Sequence, residues 1–440
     1  MNGVNKMRFN MTTLGCKVNS FESEALINDL MAKDWEYVTD DQMVDVCIIN
    51  TCTVTSTSDQ KSRQMIRSLK RKYPEAIIVA MGCYVQLHAE EAAELAEVTI
   101  GTNHRLKVAE LVESYLMTKN EIKKALSCVE NALAVATYEE MKVSALMTHT
   151  RGFIKIQDGC ENFCSYCAIP YARGKIRSRN PENVIDEIKH LVEIGTKEII
   201  ISGINTGTYG QDLGDINLAK LITRIMNETT LYRLRLSSIE LMEVSDELLD
   251  TIIKYQDRVA HHLHIPLQGG SDSVLRRMHR KYLTADYWAL INKIRSKFPD
   301  MAITTDCLAG FVGETEREFK ETCDFIEEMK FASMHIFPYS RRKGTEADQM
   351  DGHLDKQIIN ERAHKLQEIA KKMKLEYENE FIGSVQNVLI ETKKNGYYIG
   401  HTSNYLDVYI EPLKELDENT IVKVKLTNII KDKIYGKEMK

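Results

Sequence analysis

Six of the ten cysteines fall into two triplets, each one ligand short of a closed four-cysteine metal site. The tight triplet is Cys160-x-x-x-Cys164-x-x-Cys167, in the run DGCENFCSYCAIP. The spread triplet is Cys16 in TLGCKVN, Cys52 in NTCTVT and Cys83 in MGCYVQ. Four cysteines usually make a structural site, whereas three leave a coordination position open for chemistry. Soft thiolates on a loop suit a 4Fe–4S cluster with one iron free of protein ligands. A zinc knuckle missing its fourth ligand is the competing reading. The spread triplet has no such spacing, and buried cysteines at strand ends commonly pack as small hydrophobes. Cys47 inside VDVCIIN reads that way, and Cys128, Cys307 and Cys323 read as packing or incidental residues. Two open sites in one chain suggest an enzyme that needs two metal clusters for one reaction.

The elements that must position these cysteines follow from periodicity. Between Met7 and about Leu116, the runs MRFNMTTLG, VDVCIINTC, AIIVAMGC and EVTIGT read as strands. The segments SFESEALINDLMAKD, SDQKSRQMIRSLKRKY and HAEEAAELAE read as helices between them, the pattern of a parallel α/β sheet. Cys16, Cys52 and Cys83 each stand where a strand ends, and loops at the carboxyl edge of an open parallel sheet gather at one place. A second βα series starts near Arg151, with strands in GFIKIQD, KEIIISG, LYRLRLSS, HHLHIPLQ, AITTDCLAGF and ASMHIFPYS. Six βα units suggest a partial TIM-like (β/α)6 barrel with its chemistry at the carboxyl ends of the strands, where the tight triplet falls. After Phe381, short β-branched and aromatic runs suggest a small antiparallel β-barrel of the kind that binds oligonucleotides. The expected division is an α/β domain over 7–118, a linker over 119–146, the barrel over 147–378 and the terminal β-barrel over 379–440.

Composition bounds the function classes. The 440 residues are 28% charged and 43% hydrophobic, with a net charge of −6. That length asks for two or three domains. No signal peptide and no membrane span is read, so a cytoplasmic protein with reduced thiols is expected. Bulk charge argues for no nucleic acid, so RNA contact must come from local basic patches. The candidates are Lys61–Lys72 and the lysines Lys423, Lys425, Lys431, Lys433 and Lys437, the latter with Tyr397, Tyr398 and Tyr405 as stacking rings.

The segments TLGCKVN-x-x-ES, INTCTVT and GCY-x-Q resemble the N-terminal domain of the methylthiotransferases, a family of radical S-adenosylmethionine enzymes. GCENFCSYCAIPYARG, ISGINTGTYGQD, HLHIPLQGGSD, TTDCLAGFVGETEREF and FPYSRRKGTEA resemble their radical domain, and the last segment resembles their RNA-binding TRAM domain. The resemblance runs in order through essentially the whole chain. Val312, Gly269 and Lys343 depart from the family pattern, and none is a cluster ligand. GCKVN and NTCTVT resemble the branch acting on threonylcarbamoyladenosine beside the tRNA anticodon, at position 37. The branch acting on isopentenyladenosine tends to carry GCQMN, and a third modifies a ribosomal-protein aspartate. A zinc-stabilised RNA-binding protein without catalysis is the rival from another class.

The resemblance implies two 4Fe–4S clusters and S-adenosylmethionine. Cys160, Cys164 and Cys167 would hold the cluster that generates the deoxyadenosyl radical. Cys16, Cys52 and Cys83 would hold the one carrying the sulfur inserted at adenine C2, and a second S-adenosylmethionine would methylate that sulfur. It also implies tRNA, a flavodoxin- or ferredoxin-type electron donor and a sulfur source as partners. Tyr166 lies between two radical-cluster cysteines. Gly203 and Asn205 match the family's contacts to the methionyl group, and Ser238, Glu240 and Gln268 end neighbouring barrel strands; all six are candidate cofactor residues. His262 and His264 share one strand face, with a hydrogen-bonded core role as the alternative. Arg173, Arg177 and Arg179 follow the tight triplet, and their roles stay open between cofactor, substrate and second cluster.

Overall fold

Runs of β-branched and aliphatic residues flanked by amphipathic segments lay the first part of the chain into one parallel sheet. In this computed structural model, which describes residues 6–39, 43–119 and 125–439, the strands are Arg8–Thr13, Glu36–Tyr37, Val46–Thr51, Ile77–Gly82, Val98–Ile100 and Leu126–Cys128. Their spatial order is second, first, third, fourth, fifth, sixth, and every pairing is parallel. Val46–Thr51 and Ile77–Gly82 are buried at every position, as central strands covered on both faces must be. Val46 and Ile48 pack toward the helix Lys17–Ala32, while Cys47 and Ile49 pack toward Ser56–Lys72. The Thr55 hydroxyl starts the latter helix by accepting from the Ser58 amide.

The linker expected over 119–146 needs correction. Leu126–Cys128 pairs with Val98–Ile100 and becomes the sheet's sixth strand, while Met141 and Val143 are buried in the core shared with the central domain. The segment's acidic residues are ion partners rather than linker solvation: Glu139 meets Arg105 at 2.5 Å and Glu140 meets Arg179 at 2.5 Å. Residues 120–124 lie outside the described residues.

The central domain has six parallel strands: Gly152–Lys155, Glu198–Ser202, Arg233–Leu236, His262–His264, Ala302–Ala309 and Ser333–Pro338. Two three-stranded sheets are joined by parallel bridges from Leu234 to Val259 and from Ser238 to His264, giving an open arc, the expected partial (β/α)6 barrel. Leu263 and Ile303 point outward into the helix-covered core, so His262, His264, Thr304 and Asp306 line the lumen. The helix Lys17–Ala32 packs on the first barrel strand, at the open side of the arc.

The last domain is a closed five-stranded barrel of Val385–Lys394, Tyr397–His401, Asp407–Glu411, Ile421–Ile430 and Lys433–Glu438 around Val388, Ile390, Val408, Ile410, Val424, Leu426 and Ile434. It departs from the expected antiparallel barrel at one seam, where Asp407–Glu411 runs parallel to Lys433–Glu438. The amino ends of the central strands hold this domain in place. Arg233 donates to the His401 and Asn387 carbonyls at 3.3 and 3.2 Å, and Arg235 to those of Ser403 and Thr402 at 3.1 and 2.9 Å. Glu198 clamps both guanidinium groups, at 3.0 and 2.7 Å.

Burial alone would raise the Glu198 carboxyl, but Arg235, Arg233 and Arg151 overcome it and hold the pKa near 2. A depressed folded value means stabilisation that is present above the unfolded carboxyl pKa of about 4.3 and lost as pH falls through the folded value. Denaturant unfolding of Glu198→Gln should therefore lack part of the acid destabilisation that the natural chain shows between about pH 4 and pH 2. An identical acid limb in both proteins would refute this role for Glu198.

Candidate functional site

The strands that carry the spread cysteines are immediate neighbours in parallel register, so their carboxyl ends, and the cysteines, arrive at one edge. Cys16 occupies the N-cap of the helix Lys17–Ala32, Cys52 follows Val46–Thr51, and Cys83 opens the short helix Cys83–Leu87. Gly15 makes the approach possible: its φ is +115°, and a Cβ there would sit 3.1 Å from the Cβ of Cys52. Asn19 fastens the loops together, its amide donating to the Leu14 carbonyl at 2.9 Å, Asn50 Oδ1 at 3.1 Å and the Thr51 carbonyl at 3.0 Å. Thr51 in turn donates to the Met81 carbonyl at 2.6 Å.

The tight triplet lies on the loop after the first barrel strand. The Cys167 amide donates to the Cys164 carbonyl at 2.9 Å, and the Cys160 amide to the Gly174 carbonyl at 3.0 Å. Ser165 anchors the loop to the end of the short helix Asp272–Arg277, its amide donating to the Met278 carbonyl at 3.2 Å and its hydroxyl to the Arg277 carbonyl at 2.7 Å. Arg280 donates to Cys164 Sγ at 3.2 Å and pairs with Glu240.

Arg173 joins the two halves. It ends the short helix Ile169–Arg173 that follows the tight triplet, yet its Nε donates to Cys83 Sγ at 3.0 Å. Its Nη1 reaches Glu22 at 2.5 Å and its Nη2 reaches Asn19 Oδ1 at 3.2 Å, with Asp158 at 3.4 Å. Glu22 also meets Arg105 at 3.0 Å and Lys155 at 2.9 Å. Burial would raise the Glu22 carboxyl, but Arg105, Arg173 and Lys155 hold it near 2, and the same kind of surroundings keeps Asp158 well below the carboxylate range. Arg177 and Arg179 belong to the same interior, the first on the Arg173 carbonyl at 2.9 Å and the second on Glu187 at 2.6 Å. The three arginines are therefore spent on buried structure, and only Arg173 touches a cysteine of the spread triplet.

The donor sets fit open clusters. Burial pushes the Cys83 and Cys167 thiols up to about 12 and Cys160 to about 11, so these positions need a metal's charge to ionise them. Among the described residues no three His, Cys, Asp or Glu side chains gather tightly enough for a single ion. A cubane does not ask for that, since each thiolate takes a different iron.

The expected cofactor residues divide. A Cβ on Gly203 would lie 2.7 Å from Gln157 Oε1. That oxygen accepts the Asn205 amide at 2.9 Å, while Gln157 Nε2 donates to the Asp158 and Gly159 carbonyls at 2.9 and 2.7 Å. Gln157 thus ties the second strand's loop to the cysteine loop. Asn205 is buried with its side-chain oxygen unpartnered, as are Glu243 Oε2 and Thr206 Oγ1. Buried acceptors left open need a donor, and the amino group and hydroxyls of S-adenosylmethionine are donors. Ser238 bridges to His264, Gln268 is held at φ +67° with its amide on the Asp306 carbonyl at 2.8 Å, and Tyr166 packs edge-on against Phe311 at 6.2 Å. No contact carries Ser238 or Gln268 to the tight triplet. His264 is bonded to Thr304 at 2.9 Å and Asp306 at 3.2 Å in the lumen.

The stacking rings expected on the last domain also need correction. Tyr398 lies in the barrel core, and Tyr405 stacks on His262 at 4.3 Å in the domain junction. Tyr397 stays outside, where it meets Tyr435 at 5.3 Å, and Tyr435 meets Tyr409 at 5.6 Å with Lys433 over the ring. Lys423, Lys425, Lys431, Lys433 and Lys437 are exposed. Asn19, Glu22, Gln157, Glu243 and Arg280 were not singled out from sequence. Asn19 and Gln157 lie three residues from a candidate ligand cysteine, and Glu22 belongs to the motif TLGCKVN-x-x-ES, which are usable signals; Glu243 and Arg280 have none.

Residues 154–326 match the Radical SAM superfamily, and residues 8–101 match a family described as Uncharacterized protein family UPF0004. The threonylcarbamoyladenosine tRNA methylthiotransferase MtaB of Bacillus subtilis is 40% identical, covering 94% of this chain and 92% of that one. The protein of the same name from Aquifex aeolicus is 36% identical over 93% and 98%. A tRNA-2-methylthio-N(6)-dimethylallyladenosine synthase of Thermoanaerobacter pseudethanolicus is 34% identical over 87% and 82%. Among solved structures, the radical S-adenosylmethionine methyltransferase TsrM of Kitasatospora setae, with cobalamin and a 4Fe–4S cluster bound, superposes with a TM-score of 0.55 at 14% identity, over 78% of this chain and 77% of that one. That likeness supports the fold.

Proposed function

The chain belongs to the radical S-adenosylmethionine tRNA methylthiotransferases, and from that premise we propose that it methylthiolates C2 of N6-threonylcarbamoyladenosine at position 37 of tRNA. The observation that carries this reading is the full-length similarity, 33–40%, to four relatives named for that substrate. The enzyme works with two 4Fe–4S clusters and S-adenosylmethionine, which when bound supply the radical and sulfur-transfer chemistry.

The chain's own residues hold, orient and insulate. Cys160, Cys164 and Cys167 carry one cluster, and Cys16, Cys52 and Cys83 the other. Asn205 and Glu243 offer acceptors to the amino and ribose groups of S-adenosylmethionine, supported by their unpartnered buried oxygens. Gly203 leaves room for Gln157 to brace that loop. Ser238, Gln268 and Tyr166 line the same carboxyl face. Glu240 acts through Arg280, setting it against Cys164. Arg173 holds the second site against the first. The exposed lysines of the last domain, with Tyr397, Tyr409 and Tyr435, meet the tRNA backbone and its unpaired bases.

No helix among the described residues is long and apolar enough to cross a membrane; a tRNA substrate supports a cytoplasmic enzyme. An electron donor of flavodoxin or ferredoxin type and an external sulfur source complete the reaction's needs. Mass spectrometry of tRNA nucleosides tests the substrate. A strain lacking the gene should lose methylthio-threonylcarbamoyladenosine and regain it on complementation. Loss of the dimethylallyl product instead would overturn the reading.

A further inference from the structure

Lys17 is a cation placed where its surroundings disfavour one. It begins the helix Lys17–Ala32, whose first turn holds no acidic residue to offset a cation at the positive end of the helix dipole. It is partly buried, and the charges that act on it most are the repulsive guanidinium groups of Arg235 and Arg151. No carboxylate lies within ion-pair distance of it among the described residues. The nearby charges are already committed. Arg151 lies 3.1 Å from Glu391 and 3.8 Å from Glu198, Arg235 lies 2.7 Å from Glu198, and Asp306, the attractive acid side chain within Lys17's reach, faces His264 at 3.2 Å. Lys17 is the cation left over. A position that breaks the local rules without structural compensation is where function is to be sought.

Of the charges that act on it, Arg235 and Asp306 stand on the inward faces of two different barrel strands and Arg151 at the start of a third, so Lys17 faces the barrel lumen. In register across the strands, Thr304 stands beside Ser333 and Asp306 beside His335, on the face that carries His264. His335 is exposed, and its ring lies 6.1 Å from that of His264. The lumen therefore presents one unpaired cation opposite a layer of hydrogen-bonding groups, a poor seat for a hydrocarbon and a good one for an anion that also donates.

The chemistry of the proposed substrate supplies such a group. On adenine, C2 and C6 both flank N1 and C6 bears N6, so a substituent on N6 lies along the same ring edge as the reacting carbon. It must sit beside the cluster that delivers sulfur, and Lys17 is covalently next to Cys16. The threonylcarbamoyl group carries a carboxylate, a hydroxyl and carbamoyl N–H groups, whereas a dimethylallyl group carries none of these. Resting on the reading of the substrate above, we propose that Lys17 binds the threonyl carboxylate and that Asp306 and His335 receive the group's hydroxyl and carbamoyl donors, so that these lumen residues select the substrate.

Binding of anticodon stem-loop RNAs to the anaerobically reconstituted full chain tests this without turnover. The probes carry threonylcarbamoyladenosine, its methyl ester or plain adenosine at position 37. The natural protein should prefer the acid over the neutral ester by about tenfold, the worth of one charge-assisted contact. Lys17→Met should lose that preference while binding the plain adenosine RNA as before and holding the same iron, and Lys17→Arg should keep it. A Lys17→Met protein that still prefers acid to ester overturns the proposal. If the natural protein does not distinguish threonylcarbamoyladenosine from adenosine at all, the substrate reading itself has failed. Should Lys17→Met fail to take up iron, Asp306→Asn carries the test. It should weaken acid and ester alike and spare plain adenosine, and equal weakening of all three RNAs overturns the proposal.

Discussion

Replacing Cys160, Cys164 and Cys167 together by alanine should halve the iron of the reconstituted chain, from about eight to about four atoms, and abolish cleavage of S-adenosylmethionine. The mirror variant, with Cys16, Cys52 and Cys83 replaced, should also hold about four irons but keep the cleavage. It should release 5′-deoxyadenosine and leave the tRNA without sulfur. The asymmetry follows from where each triplet sits. Gln157 ties the tight triplet's loop to the neighbouring loop of the buried acceptor Asn205, so the proposed cofactor acceptor and the cluster stand on one side. The spread triplet lies across Arg173, on the carboxyl edge of a different sheet. Iron analysis, the cluster absorption band and chromatography of the nucleoside products give three independent readouts. Eight irons in either triple variant, or persistent cleavage without the tight triplet, would sink the assignment. Colourless natural protein loaded with zinc would revive the non-catalytic alternative.

The tight triplet stands out in the sequence because its spacing is local to one loop. The spread triplet was legible only through topology. Cys16, Cys52 and Cys83 are unremarkable singly, and the inference that each ends a strand of one parallel sheet is what brought them together. The six barrel strands could be read because each is a short apolar run followed by an amphipathic helix. The sixth strand of the first sheet could not, since LSC is three residues long with no alternation, and its strand character comes from the neighbour it pairs with. Tyr398 and Tyr405 show a second limit. Both looked like stacking rings, but a strand's period of two sends Tyr398 inward while Tyr397 stays out, and Tyr405 is claimed by His262 of another domain. The same blindness left the role of Arg173 open and hid that of Lys17. Each draws its meaning from groups tens to hundreds of residues away, Arg173 from Glu22 and Cys83, Lys17 from Arg151, Arg235 and Asp306.

Arg173→Met should cost about 3–5 kcal/mol of stability, because it leaves Glu22 and Asp158 buried with one cation fewer. Arg173 is fully buried, and its guanidinium serves Cys83, Glu22 and Asn19 at once. Arg105 and Lys155 remain beside Glu22, which keeps the cost toward the lower end. Stability alone would not distinguish packing from a role at the second cluster, so two further measurements are needed. Adding Glu22→Gln to Arg173→Met removes the stranded charge and should recover much of the lost stability, a coupling that a double-mutant cycle reads directly. It should not recover the cluster. A hydrogen bond from a cation to a coordinating sulfur favours the more reduced, more negative cluster, so its loss should move the second cluster's midpoint potential downward. That potential can be followed alone in chains whose tight triplet is alanine. Arg173→Lys should restore charge but not geometry, since one ammonium cannot reach the sulfur, the carboxylate and the amide together. It should therefore regain stability more fully than potential. If Arg173→Met loses stability while iron content and potential stay unchanged, Arg173 only fastens the two domains, and the contact to Cys83 does no redox work.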